Sequence, residues 1–364
     1  MISNLLKYLA RASCVSTAVL AICVGASTVS VKAQSLDEKE KQFIGVDELV
    51  KDTDPPIRYG VTLVHLQDDY WKGMAYGIVD EVKRAGGKVV QVSIAGKYGN
   101  VSQQFAQIES MLIKGIDVLV LGAASYDGYE PILKKVKEKG VKILAVGTPV
   151  NSKTPDFGVL FSDYDIGKSM GDLLCKGKHP DKFKIIGLPG PAGAEWTKLR
   201  VDGLKQSVSE CPGATLELAP TGGEISIGYG LSVTSDMITK NPDASFIWTP
   251  TMGLGMGAVQ AVKQRKAHMQ VIGSTLLRGV FPPLEDGTLI AVNSEPSIMV
   301  GRLIVQYSIR QKLGLSTPLI KENKDFPYLM VLAPNTFLTK DNYKTYPWEE
   351  TDIPPEDWSI EAFQ

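Results

Sequence analysis

The chain has 364 residues, 44% hydrophobic and 22% charged, with 35 glycines and 21 prolines. That is ordinary globular composition, so collagen, coiled coil and disorder are excluded, and the length predicts two lobes rather than one core. Thirty-nine basic residues against 40 acidic give a net charge of −1, which excludes a broad nucleic-acid-binding surface.

The first 33 residues differ from the rest. Lys7 and Arg11 precede an uncharged run over 12–31, and Val31-Lys32-Ala33 closes it with small residues at −3 and −1. This is the pattern of a signal peptide cut before Gln34, which makes the mature protein periplasmic. The run is long enough to span a bilayer, but Ser, Thr and Gly dilute it. A bulky Ile22 ahead of Cys23 speaks against a lipidated cysteine. Cleavage leaves two of the four cysteines, Cys175 and Cys211. In an oxidising compartment that even count invites a disulfide, with two free thiols as the alternative.

Residues 34–56 read as a charged N-terminal arm. From 57 onward, apolar runs of strand length alternate with helices patterned at i, i+3, i+4. Strands are predicted over 57–66, 88–94, 118–122 and 141–146, with helices over 71–84, 101–113 and 129–139. Near-continuous Val, Ile and Leu in these strands suit a parallel sheet buried on both faces. Residues 148–156 hold two prolines, an Asn and a Ser, and read as a crossover. The first lobe is therefore expected over 57–150 and the second over 151–327.

In the second lobe, strands are predicted over 157–161, 184–188, 214–218, 245–249, 270–273 and 289–293. Helices are expected over 166–174, 196–208, 231–240, 254–263, 277–284 and 298–313, and parts of 275–300 fall near the hinge or cleft. A strand over 328–332 returns through the hinge, and 328–364 ends in a C-terminal surface arm. The fold class is α/β, two doubly wound parallel-sheet lobes joined by a hinge. Open sheets of this kind bind ligands beyond the carboxyl ends of their strands, and here both sets of ends face one cleft.

Enzyme motifs do not survive inspection. His65, His179 and His268 lie in separate units without metal-ligand spacing. Gly167-Lys168-Ser169-Met170-Gly171 matches a nucleophile elbow by letter, but Ser169 falls inside a predicted helix rather than on a strand-to-helix turn. The same segment misses a P-loop, with Ser162 where the first glycine belongs. Gly253-x-Gly255-x-Gly257 lacks the spacing of a dinucleotide fingerprint and reads as close helix packing. The turn from Leu188 to Glu195 offers a helix N-terminus to an anion or a polar oxygen. The chain reads as a non-enzyme without cofactor or metal.

Aromatics recur where the cleft is expected: Asp68-Asp69-Tyr70-Trp71, Gly96-Lys97-Tyr98, Ser125-Tyr126-Asp127, Phe161-Ser162-Asp163-Tyr164 and Glu195-Trp196. Ring faces attract a cationic or methylated nitrogen, and a carboxylate beside them adds charge. Each ring alone also fits helix-start packing, Tyr126 and Trp196 most of all. The candidate ligand-binding set is Asp68, Tyr70, Trp71, Tyr98, Ser125, Phe161, Tyr164, Trp196, Thr251, Thr275 and Glu295. Glu295, at a late strand end, has solvation as its alternative.

Residues 57–335 resemble a type I periplasmic binding protein, the ribose-binding architecture. The likeness rests on Gln67-Asp68-Asp69-Tyr70-Trp71-Lys72-Gly73-Met74, on Ser162-Asp163-Tyr164 with Gly167, and on Arg200-Val201-Asp202-Gly203-Leu204. Gly96-x-Tyr98, Gln104-x-x-Gln107-Ile108 and Gly190-Pro191 with Lys198-x-x-Val201-x-Gly203 resemble family members that bind trimethylamine N-oxide and present it to a membrane sensor histidine kinase. The alternative is the family's commoner role, the substrate-binding component of an ABC importer that delivers sugars or related solutes to a permease. Sugar binders of this family place Asp, Asn and Arg where this chain has Ser125, Thr148, Thr251 and Thr275, which argues against a hexose or pentose. The resemblance also implies an aromatic at the entry to the second lobe, for which Phe161 and Tyr164 are the two candidates.

Overall fold

The computed structural model describes residues 36–52, 54–324 and 326–360. The expected signal peptide lies outside them. The elements begin with α1 (Leu36–Ile44), β1 (Arg58–Leu63), α2 (Asp69–Ala85), β2 (Lys88–Ile94), α3 (Val101–Lys114), β3 (Val118–Leu121), α4 (Glu130–Glu138), β4 (Lys142–Val146) and β5 (Phe157–Leu160). Next come α5 (Asp163–Lys176), β6 (Phe183–Gly187), α6 (Glu195–Ser209), β7 (Ala214–Leu218), α7 (Ile227–Lys240), β8 (Phe246–Trp248), α8 (Met252–Arg265) and β9 (Gln270–Ser274). Finally come α9 (Phe281–Asp286), β10 (Leu289–Ser294), α10 (Ser297–Lys312), β11 (Met330–Leu332), β12 (Thr336–Thr339) and α11 (Trp348–Thr351).

Two six-stranded sheets result, in the orders β11-β5-β4-β3-β1-β2 and β12-β10-β9-β8-β6-β7. All pairings are parallel except β10 with β12. Central strands such as Val118–Leu121 and Phe157–Leu160 are buried throughout, as sheets covered by helices on both faces require.

The lobe boundary differs from the sequence expectation. The strand at 157–160, expected to open the second lobe, pairs with β4 in the first sheet. The prolines at 149 and 155 bend a loop within the first lobe and do not mark the crossover. The helix at 297–312, also expected in the second lobe, packs on α2 in the first. The chain therefore crosses between lobes three times, at 161–162, 295–296 and 333–335.

The two arms are not simple surface appendages. Glu40 on α1 is fully buried and pairs with Arg84 and Arg302, at 2.6 and 3.0 Å. The C-terminal arm adds β12 to the second sheet, and Ile353 joins that lobe's core. Further along, Trp358 sets its ring edge-on to Tyr76 of α2, 5.8 Å between centroids. The charged composition hid these contacts because each arm buries only a few of its residues.

α2 shows how the sequence builds an element that carries a site. Asp68 caps its start by accepting a hydrogen bond from the Trp71 amide at 2.9 Å, and Gly86 ends it in the left-handed conformation. Trp71, Met74, Ala75, Ile78, Val79 and Val82 form one buried stripe. Each large member stabilises the fold by roughly 1.5–3 kcal/mol. The stripe fixes where the first turn, and so Tyr70, must stand.

Candidate functional site

A small cavity lies where the carboxyl ends of both sheets meet. His65, Asp68, Tyr70, Trp71, Tyr98, Gly147 and Thr148 line it from the first lobe, and Asp163, Trp196, Arg200, Ile225, Thr251, Thr275 and Glu295 from the second lobe and its link to the hinge. The space left is about 30 Å³. The cleft is closed over it. The Arg278 amide donates to Asp69 Oδ2 at 3.0 Å, and the rings of Tyr98 and Trp196 meet across the cleft at 6.1 Å.

The first-lobe wall is aromatic. Tyr70 stands edge-on to Trp71 at 5.2 Å, and Trp71 Nε1 donates to the Tyr98 hydroxyl at 3.3 Å. His65 sets ring edges against Trp71 and Tyr98. The cage closes this tightly because Gly122 and Gly147 have no side chains. A Cβ on Gly147 would lie 3.0 Å from both the Tyr70 hydroxyl and the Trp71 ring, and its φ of +71° is in the left-handed region.

The second-lobe wall is a buried ion network. Arg200 Nε donates to Asp163 Oδ1 at 2.8 Å. Nη1 donates to the Pro250 carbonyl at 2.8 Å and to Glu295 Oε1 at 2.9 Å, while Nη2 donates to Glu295 Oε2 at 2.7 Å. Ser274 and Thr275 add hydroxyl donors to Glu295 Oε1, at 2.6 and 2.8 Å. The guanidinium also lies over the Trp196 ring, 5.0 Å from its centroid. α5 and α6 approach closely enough for this because Gly167 and Gly203 sit at their crossing. A Cβ on Gly167 would overlap the Arg200 carbonyl, and one on Gly203 the Tyr164 carbonyl.

Burial sets the protonation of the site. It pushes Asp163 up to about 6, with Arg200 opposing and Glu295 adding to the rise. Burial also raises Asp68, against the pull of His65 and the Trp71 amide. His65 is lowered by burial, with Asp68 opposing, and so is neutral near pH 7. Burial opposes the charge on Arg200, but Glu295 and Asp163 outweigh it and hold the guanidinium ionised. Tyr70 and Tyr98 are raised by burial and stay protonated. Arg200 is shared between Glu295 and Asp163, so with both carboxylates ionised the three side chains carry one net negative charge. A cation about 4 Å from one such carboxylate gains about 4 kcal/mol at an effective dielectric constant of ~20, against ~0.5–2 kcal/mol for one ring face. At these magnitudes a carboxylate outweighs a ring face in the electrostatics of the cavity.

Eight of the expected residues meet at this cavity: Asp68, Tyr70, Trp71, Tyr98, Trp196, Thr251, Thr275 and Glu295. Three do not. Phe161 is 2% exposed in the first lobe's core, behind Tyr70 at 6.5 Å, because β5 belongs to that sheet. Tyr164 is 37% exposed and lines an outer groove, since the first turn of α5 sends Asp163 inward instead. Ser125 lines a neighbouring chamber. Glu295 is 3% exposed, so its solvated alternative is excluded.

His65, Asp163, Arg200, Gly147 and Ile225 were not among the expected contacts. A signal for Arg200 exists in the sequence: Trp196 and Arg200 stand four apart on the apolar stripe of a helix, one face of the turn.

Elsewhere, the structure joins Cys175 to Cys211 in a disulfide, with 5.8 Å between their α-carbons. Ser169 sits within α5 and donates to the Ile166 carbonyl. Gly257 lets α8 approach α7, where a Cβ would overlap the Ile227 carbonyl. Among the described residues, no group of three His, Cys, Asp or Glu side chains is placed to hold a metal, and no helix is long and apolar enough to cross a membrane.

A family model described as periplasmic binding protein domain matches residues 59–312. The periplasmic protein TorT of Escherichia coli K12 is 25% identical over 272 residues, covering 74% of this chain and 75% of that protein. A D-ribose/D-allose-binding protein of Pseudomonas aeruginosa is 24% identical over 245 residues, covering 65% and 76%. The crystal structure of a sugar ABC transport system substrate-binding protein from Bordetella parapertussis is 41% identical, with a TM-score of 0.83, covering 88% of this chain and all of that one.

Proposed function

This chain belongs to the periplasmic binding protein domain family, and from that premise we propose that it is an exported, non-enzymatic binding protein for a small methylated amine or amine oxide. Its two lobes close on the ligand between the rings of Tyr70, Trp71, Tyr98 and Trp196, and closure changes the outer surface that a membrane partner reads. The observation that carries this reading is the pairing of those rings with the buried carboxyl groups of Asp68 and Asp163, around a cavity of about 30 Å³. Ligand binding drives closure only to the extent that the closed form holds the ligand more tightly.

Calorimetry of the mature protein with trimethylamine N-oxide, glycine betaine, choline and ribose tests it. At least one methylated ligand is expected to bind, and ribose is not. Binding of ribose alone overturns the reading.

The partner in this reading is a sensor histidine kinase, as the likeness of the strand-end motifs implies. The description of the Bordetella parapertussis relative favours a second reading, delivery to an ABC permease. Deleting the gene separates the two. Loss of a ligand-dependent transcriptional response with uptake intact supports the kinase, and loss of labelled-ligand uptake supports the permease.

A further inference from the structure

A second chamber adjoins the first, and it is much larger. Its volume is about 230 Å³, against about 30 Å³ for the cavity between the rings. The two share Tyr98, Thr148 and Trp196, so the tilted Tyr98–Trp196 pair is a partition between neighbouring spaces. Both lobes wall the outer chamber. The first lobe contributes the loops after β2, β3 and β4, and the second the turn that opens α6. Both spaces therefore lie between the lobes, the outer one bordered by the exposed Ala192 and Gly193.

The walls differ in kind. The inner cavity has rings and buried carboxyl groups. The outer chamber has small side chains, among them Ala124, Ala192 and Ala194, with the hydroxyl groups of Ser125 and Tyr126. Its one ionisable carboxylate is Glu195. Among the described residues, Arg200 is the sole cationic side chain lining either space, and Glu295 already clasps it with both oxygens. Glu195 pairs with Lys198 at 3.6 Å, and Lys198 is shared with Asp202 at 3.2 Å, so an anionic tail would find its nearest cations already engaged.

We propose that the ligand is a monocation with a short uncharged tail, its ammonium head held between the rings and its tail lying in the outer chamber. This rests on the cage reading above and narrows it. A bare methylated amine fills only the inner space, a betaine brings a carboxylate whose nearest cations are already paired, and an amino alcohol such as choline satisfies both.

The test is calorimetry of the mature protein with choline, tetramethylammonium, glycine betaine and ribose. It is run on the native chain and on two chamber-filling variants. Ala194→Phe enlarges a residue whose φ of −88° any L-residue accepts, and Ala192→Phe changes an exposed loop position, so that misfolding of one variant does not end the test. Choline is expected to bind at least tenfold more tightly than tetramethylammonium or glycine betaine. Each variant is expected to weaken choline at least tenfold and tetramethylammonium less than threefold. Equal affinities for choline and tetramethylammonium, with variants that alter neither, overturn the two-chamber inference and leave the cage standing. Glycine betaine binding more tightly than choline overturns the charge assignment. Ribose binding alone overturns the cage reading itself.

Discussion

Arg200 and Glu295 form a two-pronged buried pair, Nη1 to Oε1 at 2.9 Å and Nη2 to Oε2 at 2.7 Å. One residue stands on α6, and the other lies in the link that carries the chain from β10 to α10. The pair thereby fixes one wall of the cavity to the hinge. Removing one partner of a buried pair leaves the other charge uncompensated. Glu295→Gln is expected to lower the unfolding free energy by about 3 kcal/mol, measured by urea denaturation at pH 7. A loss under about 1 kcal/mol, the scale of an exposed pair, would contradict this account.

Gly147 admits the rings to the cage. Gly147→Ala forces a Cβ into the left-handed region, at about 1–2 kcal/mol, and against Tyr70 and Trp71. The variant is expected to fold with a lowered Tm and to bind any cage ligand at least tenfold more weakly. Unchanged affinity would place the ligand elsewhere.

Ligand affinity is expected to depend on pH in a direction that the buried acid sets. Asp163 is pushed up to about 6 by burial, so it is largely ionised at pH 7 and largely protonated at pH 5. A cation needs the ionised form. Its dissociation constant is therefore expected to rise about tenfold from pH 7 to pH 5, while binding of an uncharged ligand stays level. Calorimetry at three pH values distinguishes the two.

Asp352 offers the matching test on stability. Burial pushes its carboxyl up to about 6, with Ser294, Thr351 and Tyr346 opposing through hydrogen bonds. The folded pKa lies above the unfolded one, so this contribution is fully present below pH 4 and is lost as pH rises through 6. The full difference is about 3 kcal/mol. Asp352→Asn is expected to flatten the slope of stability between pH 4 and 6. A variant slope equal to the native one would show that Asp352 is not the group titrating.

The Cys175–Cys211 disulfide bridges a sequence separation of 36 residues between the ends of α5 and α6. Closing a loop of that length in the unfolded chain is worth about 4 kcal/mol. Cys211→Ser, or reduction with dithiothreitol, is expected to shift the urea midpoint down accordingly, with little change in ligand affinity below the transition.

Much of the fold was legible because its signals are local. Ala214–Leu218 and Lys88–Ile94 match their predicted spans, and the alternation of β and α units carried through both lobes. Asp68, Tyr70, Trp71 and Tyr98 were legible for the same reason, since each follows a strand that hydrophobic runs alone locate. The lobe boundary was not. Nothing in Phe157–Leu160 distinguishes a later strand of one sheet from the first strand of another, and only its pairing with β4 decides. Phe161 and Tyr164 were misplaced by that same ambiguity.

The sequence by itself determined the α/β alternation, the doubly wound lobes and a cleft rich in aromatics, because side-chain periodicity and glycine turns act over a few residues. Only the tertiary structure decided that Asp163, Arg200 and Glu295 form one buried network, that Glu195 faces a separate chamber, and which rings enclose the inner space. Arg200 lies 37 positions from Asp163 and 95 from Glu295, and a charge's protonation and partners depend on burial that no local pattern encodes.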